Sequence, residues 1–123
     1  MDDKRHSVLV AEDEVMLRMI AVETLRDAGY EVFEAGDGSE ALDVLQANSD
    51  IDLLISDIRM PRMNGYELVE AGTALRPRLR VLLMTGYTQD PIPENMARAG
   101  IKVLYKPFNV DELAQWAAQA LRT

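Results

Sequence analysis

The chain has 123 residues, enough for one domain with its own core and too few for a second. Thirteen basic residues against 21 acidic ones give a formal net charge of −8, and so acidic a surface repels nucleic-acid phosphates. There is no cysteine, which excludes disulfides and thiolate metal sites. The apolar run Val8–Ala11 stops at Glu12, too short for a signal peptide, and no apolar run approaches the roughly 20 residues of a membrane span. These bounds lead us to expect a single domain over residues 1–123, with an ordered core over about 7–121, working in the reducing cytoplasm away from membranes and nucleic acid.

Ser7–Ala11 (SVLVA) is nearly all apolar, as a strand covered on both faces should be. Leu17, Ile20, Ala21, Thr24, Leu25 and Ala28 then recur at helical spacing, and Gly29 closes that helix. Tyr30–Ala35 (YEVFEA) is interrupted by Glu31 and Glu34 and reads as an edge strand. Asp37 precedes Glu40 at the spacing of a capping box, which opens a second helix. Leu53–Ser56 (LLIS) is a third strand, and Asn64 with Glu67 repeats the capping pattern before a third helix. Val81–Met84 (VLLM) is the fourth strand. A helix is expected within Asp90–Ala99, its start restricted by Pro91 and Pro93. Lys102–Tyr105 (KVLY) is the fifth strand. Asn109 with Glu112 opens a last helix, whose buried stripe is Leu113, Trp116, Ala117, Ala120 and Leu121.

Five such alternations predict an α/β fold, (βα)5, with helices on both faces of a five-stranded parallel sheet. The polar-interrupted second strand at an edge suits the doubly wound strand order 2-1-3-4-5. In that order the winding reverses between strands 1 and 3, and ligands bind at such a switch point, outside the carboxyl ends of the strands.

The chemistry follows those ends. Glu12-Asp13-Glu14 follows strand 1, Ser56-Asp57 ends strand 3, Thr85-Gly86 ends strand 4, and Lys106-Pro107 ends strand 5. Any one of these acids read singly is a helix cap or a solvated charge, and Lys106-Pro107 read singly is a turn. Together they place three carboxylates side by side, which cannot all stay ionised without a cation or a raised pKa. Oxygen ligands of this kind favour a hard metal, and Mg²⁺ needs only one or two direct carboxylates. Lys106 adds a compact positive charge and Thr85 a hydroxyl donor. A carboxylate nucleophile beside a divalent cation, an ammonium and a hydroxyl makes a phosphoryl-transfer site.

The acidic pair Glu12-Asp13, Asp57 followed by Met60-Pro61 and Asn64-Gly65, then Thr85-Gly86, then Lys106-Pro107-Phe108, resemble in order and spacing the receiver domain of two-component response regulators. The resemblance covers about Val8 to Leu121 and implies a flavodoxin-like, CheY-like fold. It implies that Asp57 takes a phosphoryl group from a phosphohistidine on a histidine kinase or histidine phosphotransferase. It further implies that Asp13, Asp57 and the backbone carbonyl of Arg59 bind Mg²⁺ directly, with Glu12 in the outer shell through water. Thr85 and Lys106 would contact the bound phosphoryl group, and the Lys106-Pro107 bond would be cis. Glu12 stands where the family more often has Asp. Val103 occupies the position where the family often places an aromatic switch residue, and Tyr105 lies beside Lys106 instead. Thr85-Gly86-Tyr87 is similar to part of the motif of a subgroup nicknamed FAT GUY, whose members are typically stand-alone.

On this reading the chain is a switch and not an enzyme, catalysing only its own phosphorylation and dephosphorylation. No further domain is expected after Leu121, so output is expected through contact with a downstream protein or by relay of phosphate. Phosphorylation would bias the loop Gly86–Pro93, made mobile by Gly86 and restricted by its prolines. Arg59 and Tyr87, each two residues past a key position, are either surface side chains or modulators, Tyr87 by covering the acyl phosphate. Met60 and Met63 read as packing, Trp116 as core or interface anchor, and His6 as solvated. The rivals are a flavodoxin-like cofactor binder, which lacks its Ser/Thr/Gly-rich loop after strand 1, an aspartate-nucleophile phosphatase, whose D-x-D motif fails at Arg59, and a phosphorylation-independent interaction module.

Overall fold

The computed structural model describes residues 5–87 and 90–122; Thr88 and Gln89, in the loop expected to respond to phosphorylation, lie outside the described residues. Along the chain run β1 (Ser7–Ala11), α1 (Val15–Asp27), β2 (Glu31–Ala35), α2 (Gly38–Ala47), β3 (Ile51–Asp57), α3 (Gly65–Leu75), β4 (Arg80–Thr85), α4 (Glu94–Arg98), β5 (Lys102–Tyr105) and α5 (Val110–Arg122). All neighbouring strands pair parallel, in the expected order β2-β1-β3-β4-β5.

Strand periodicity makes three layers. Leu9 and Ala11 of β1 and Leu54 of β3 pack toward Ala41 and Leu45 of α2, Leu68 of α3 and Met96 of α4. Their chain neighbours Val8, Val10, Leu53 and Ile55 point the other way, toward Ala21 and Leu25 of α1 and Leu113 and Ala117 of α5. Each large aliphatic side chain so buried contributes roughly 1.5–3 kcal/mol. The edge strand β2 leaves Glu31 and Glu34 exposed and buries Val32 and Ala35, so the polar interruptions seen in the sequence face outward.

Local chemistry sets the helix ends. Asn64 accepts from the Glu67 N–H at 2.9 Å while its own N–H donates to Glu67 Oε1 at 3.0 Å. Asn109 and Glu112 make the same reciprocal pair at 2.8 and 3.1 Å. The third pair is half a box: Asp37 accepts from the Glu40 N–H, but the Glu40 carboxylate takes the N–H of Gly36. Gly29 ends α1 with φ +99°, a conformation that side chains rarely adopt.

Four elements differ in their bounds from the sequence expectation: β2 starts at Glu31 rather than Tyr30, β4 runs Arg80–Thr85 rather than Val81–Met84, and β3 and α4 differ more. Strand β3 extends to Ile51 and Asp57 because Ile51 pairs with Ser7 and Asp57 with Met84, so the expected acceptor is the last strand residue. Helix α4 occupies only Glu94–Arg98 of the expected Asp90–Ala99. Pro93 is extended (ψ 140°) and Pro91 has no N–H, so residues 90–93 stay outside the helix. Among the described residues, no helix is long and apolar enough to cross a membrane.

Candidate functional site

The sheet register brings the expected residues together. Ala11 pairs with Ser56, so the next residues, Glu12 and Asp57, are neighbours. Asp57 pairs with Met84 and Thr85 with Tyr105, which sets Thr85 and then Lys106 one step further along the same rim. The Lys106 N–H donates to the Thr85 carbonyl at 2.8 Å, and the Lys106–Pro107 peptide bond is cis.

Glu12, Asp13 and Asp57 each offer a carboxylate oxygen, all within 4.8 Å of one another. Glu12 is 1% exposed and Asp57 7%, whereas Asp13 faces solvent. The ammonium of Lys106 lies between the two buried acids, 2.7 Å from Glu12 Oε1 and 3.0 Å from Asp57 Oδ2. Glu12 Oε2 accepts the Glu14 N–H at 3.1 Å, so both of its oxygens are engaged. Burial drives the Glu12 pKa up to about 7, helped by the charge of Asp57 and opposed by the Lys106 ammonium and the Glu14 N–H. Burial disfavours the Lys106 cation, but hydrogen bonds to Glu12 and Asp57 and their charges outweigh it and raise its pKa. The crowding of three carboxylates is thus met by a raised pKa at Glu12 and by the lysine between Glu12 and Asp57.

The loop after β3 folds back over the acceptor strand. The Gly65 N–H donates to the Ile58 carbonyl at 2.8 Å, and a Cβ on Gly65 would fall 2.4 Å from the Asp57 carbonyl oxygen. Only glycine fits there, which explains its place after Asn64. The Arg59 N–H lies 3.4 Å from Asp57 Oδ1.

The other flank holds a network that sequence reasoning missed. Thr85, 1% exposed, donates its hydroxyl to Asp90 Oδ2 at 2.7 Å and accepts the Tyr87 N–H at 3.1 Å. Arg59 grips the same carboxylate, with Nη2 2.7 Å and Nε 3.2 Å from Asp90 Oδ1, and its guanidinium lies 3.7 Å over the Tyr87 ring. Hydrogen bonding from Arg59, and after it from Thr85, holds the Asp90 carboxyl below the ordinary carboxylate range despite its desolvation. The signal available in the sequence was an acid five residues past Thr85, followed by prolines that leave it no helix to join. Asp13, Arg59, Asn64 and Asp90 line one cleft of about 520 Å³ beside the acid cluster.

The remaining sequence candidates fall as follows. A Cβ on Gly86 would meet nothing within 4 Å. Val103 is buried, whereas Tyr105 and Tyr87 are exposed. Met60 and Met63 pack against one core layer and Trp116 against the other. His6, expected to be solvated, is half exposed but has Nδ1 3.3 Å from Asp52 Oδ2.

The family model described as the response regulator receiver domain matches residues 8–118. The chain is 36% identical over 107 residues to the response regulator receiver protein CpdR of Brucella abortus, covering 86% of this chain and 88% of CpdR. It is 34% identical over 117 residues to the sensor kinase CckA of the same organism, covering 94% of this chain but only 12% of that protein's length. Among solved structures, the chemotaxis protein CheY4 of Vibrio cholerae superposes with a TM-score of 0.84 at 34% identity, covering 96% of this chain and all of that one. A rim of two buried acids, a lysine and a threonine on a 2-1-3-4-5 sheet, matched over nearly its whole length by that model, makes this chain a member of the response regulator receiver domain family.

Proposed function

We propose that this chain is a single-domain response regulator of a two-component phosphorelay. Asp57 accepts a phosphoryl group from a phosphohistidine on a histidine kinase or histidine phosphotransferase. One observation carries the reading: the Asp57 carboxylate, at the end of β3, lies 3.0 Å from the Lys106 ammonium and within one cluster with Glu12 and Asp13.

In the transfer, an Asp57 carboxylate oxygen bonds to phosphorus as the P–N bond of the phosphohistidine breaks. The electron pair stays with the ring nitrogen, which takes up a proton. Lys106, already against the acceptor oxygen, moves with the developing negative charge onto the phosphoryl oxygens, and the Thr85 hydroxyl supplies a further donor. The donor set fits Mg²⁺: hard oxygens, with Asp13 exposed and able to reorient. Asp13, Asp57 and the Arg59 carbonyl would hold the ion. Glu12, whose oxygens serve Lys106 and Glu14, suits the outer shell. When bound, Mg²⁺ supplies neutralisation of charge on the transferring group.

Exposed Val15, Met16, Met19 and Ile20 form an apolar stripe on α1, whose first turn follows the acid cluster directly. A partner helix covering that stripe would bring its phosphohistidine to the Asp57 rim. Output passes through the segment after β4, with β5 and α5, to a downstream protein, with no direct role for nucleic acid. The cytoplasm is the compartment in which such a relay would work.

The test is intact mass after acetyl phosphate and Mg²⁺. A gain of about 80 Da in the parent and none in Asp57→Ala is expected. No gain in the parent would replace this reading with a phosphorylation-independent interaction module.

A further inference from the structure

A hydroxyl has one proton to donate. In this structure the Thr85 hydroxyl donates to Asp90 at 2.7 Å, and while it does so it cannot donate to a phosphoryl oxygen on Asp57. The same carboxylate holds Arg59 through Nη2 at 2.7 Å and Nε at 3.2 Å, although the Arg59 backbone N–H is at the acceptor. The Asp90 side chain is only 9% exposed, despite standing in a loop ahead of Pro91. A surface ion pair would leave it open to water; here two donors, from the end of β4 and from the loop after β3, converge on it.

We propose that Asp90 is a positioning residue of the acceptor site: its carboxylate keeps Thr85 and Arg59 in the resting arrangement, and phosphorylation of Asp57 must take them from it. The inference rests on the phospho-acceptor reading and adds to it the group that sets the resting bias. Its sign follows from charge. A phosphoryl group brings about −1.5 to −2 charges, which attract Arg59 and the Thr85 hydroxyl and repel Asp90. The contacts of the Asp90 carboxylate with Thr85 and Arg59 therefore favour the unphosphorylated state, and their loss shifts the population toward the active one.

The test titrates beryllofluoride with Mg²⁺, a mimic of the phosphoryl group, into parent, Asp90→Ala, Asp90→Asn, Thr85→Ala and the Thr85→Ala/Asp90→Ala double variant, reading affinity from amide NMR spectra. Loss of one charge-assisted contact corresponds to about a tenfold change, so Asp90→Ala is expected to bind about tenfold tighter than the parent. Asp90→Asn, which still accepts from Thr85 but grips Arg59 less, should fall between. In the Thr85→Ala background the gain should shrink severalfold, because one of the held groups is gone. Unchanged or weaker binding by a folded Asp90→Ala or Asp90→Asn overturns the proposal, as does an equal gain with and without the Thr85 hydroxyl. If the parent takes up neither beryllofluoride nor a phosphoryl group, the acceptor reading fails first and this inference falls with it.

Discussion

Replacing Lys106 by Met removes the ammonium that lies 2.7 Å from Glu12 and 3.0 Å from Asp57, while leaving a stem of similar bulk. Breaking a buried ion pair by deleting one partner costs about 3–5 kcal/mol. The Lys106 side chain is 15% exposed, so the lower end applies, about 3 kcal/mol with both acids ionised. Protonation limits the damage. Glu12 in the folded parent titrates near 7 against an ordinary value of 4.5. Between those values the folded chain holds a proton that the unfolded chain has lost, so metal-free stability falls as pH rises through that window. Without Lys106, a cause that holds the Glu12 pKa down is gone, and the fall continues beyond pH 7. In urea unfolding with EDTA, Lys106→Met should lose about 3 kcal/mol at pH 8 and only about 1 kcal/mol at pH 5.5, where Glu12 is protonated in both proteins. Mg²⁺ should restore part of the loss at pH 8, since a divalent ion takes over the neutralisation. Equal losses at the two pH values would refute the assignment of the proton to Glu12.

In Gly65→Ala, the new Cβ would lie 2.4 Å from the Asp57 carbonyl and 2.9 Å from Ile58 Cα. Thermal unfolding should show a loss of about 1–3 kcal/mol together with slower modification of Asp57 by acetyl phosphate, whereas a neutral substitution would mean that the loop is not seated on the acceptor strand. Asn64→Ala removes the side-chain half of the α3 capping box and should cost about 1 kcal/mol in urea unfolding, with Mg²⁺ affinity unchanged. Tyr87→Ala takes away the ring under Arg59, so the phosphorylated protein should lose its phosphate faster by intact mass; equal rates would deny the tyrosine a shielding role.

Much of the architecture could be read from residues close together in the chain. The unbroken apolar run Val8–Ala11 announced a strand buried on both faces, and Glu31 with Glu34 announced an edge; burial at those positions follows the same pattern. Asn64 with Glu67 and Asn109 with Glu112 marked helix starts because a cap is made within four residues. The rim of acids, threonine and lysine was foreseeable as well. Parallel strands in one sheet end together, so the residue types that follow each strand meet whatever the loops between them do.

Contacts between distant residues were not foreseeable in this way. The Glu12 pKa rises to about 7 because packing around β1 leaves it 1% exposed, and Lys106, which opposes that rise, reaches it across 94 positions; neither burial nor that distance is written locally. Asp90 lay in a segment whose helix start the prolines restricted; α4 occupies only Glu94–Arg98, and the Asp90 carboxylate turns to Thr85 and Arg59, partners no local pattern names. His6, with no local partner, found Asp52 on β3 because β1 and β3 are adjacent strands. Periodicity and capping are short-range and survive in any context, while desolvation and the pairing of charges depend on which surfaces the folded sheet and helices press together.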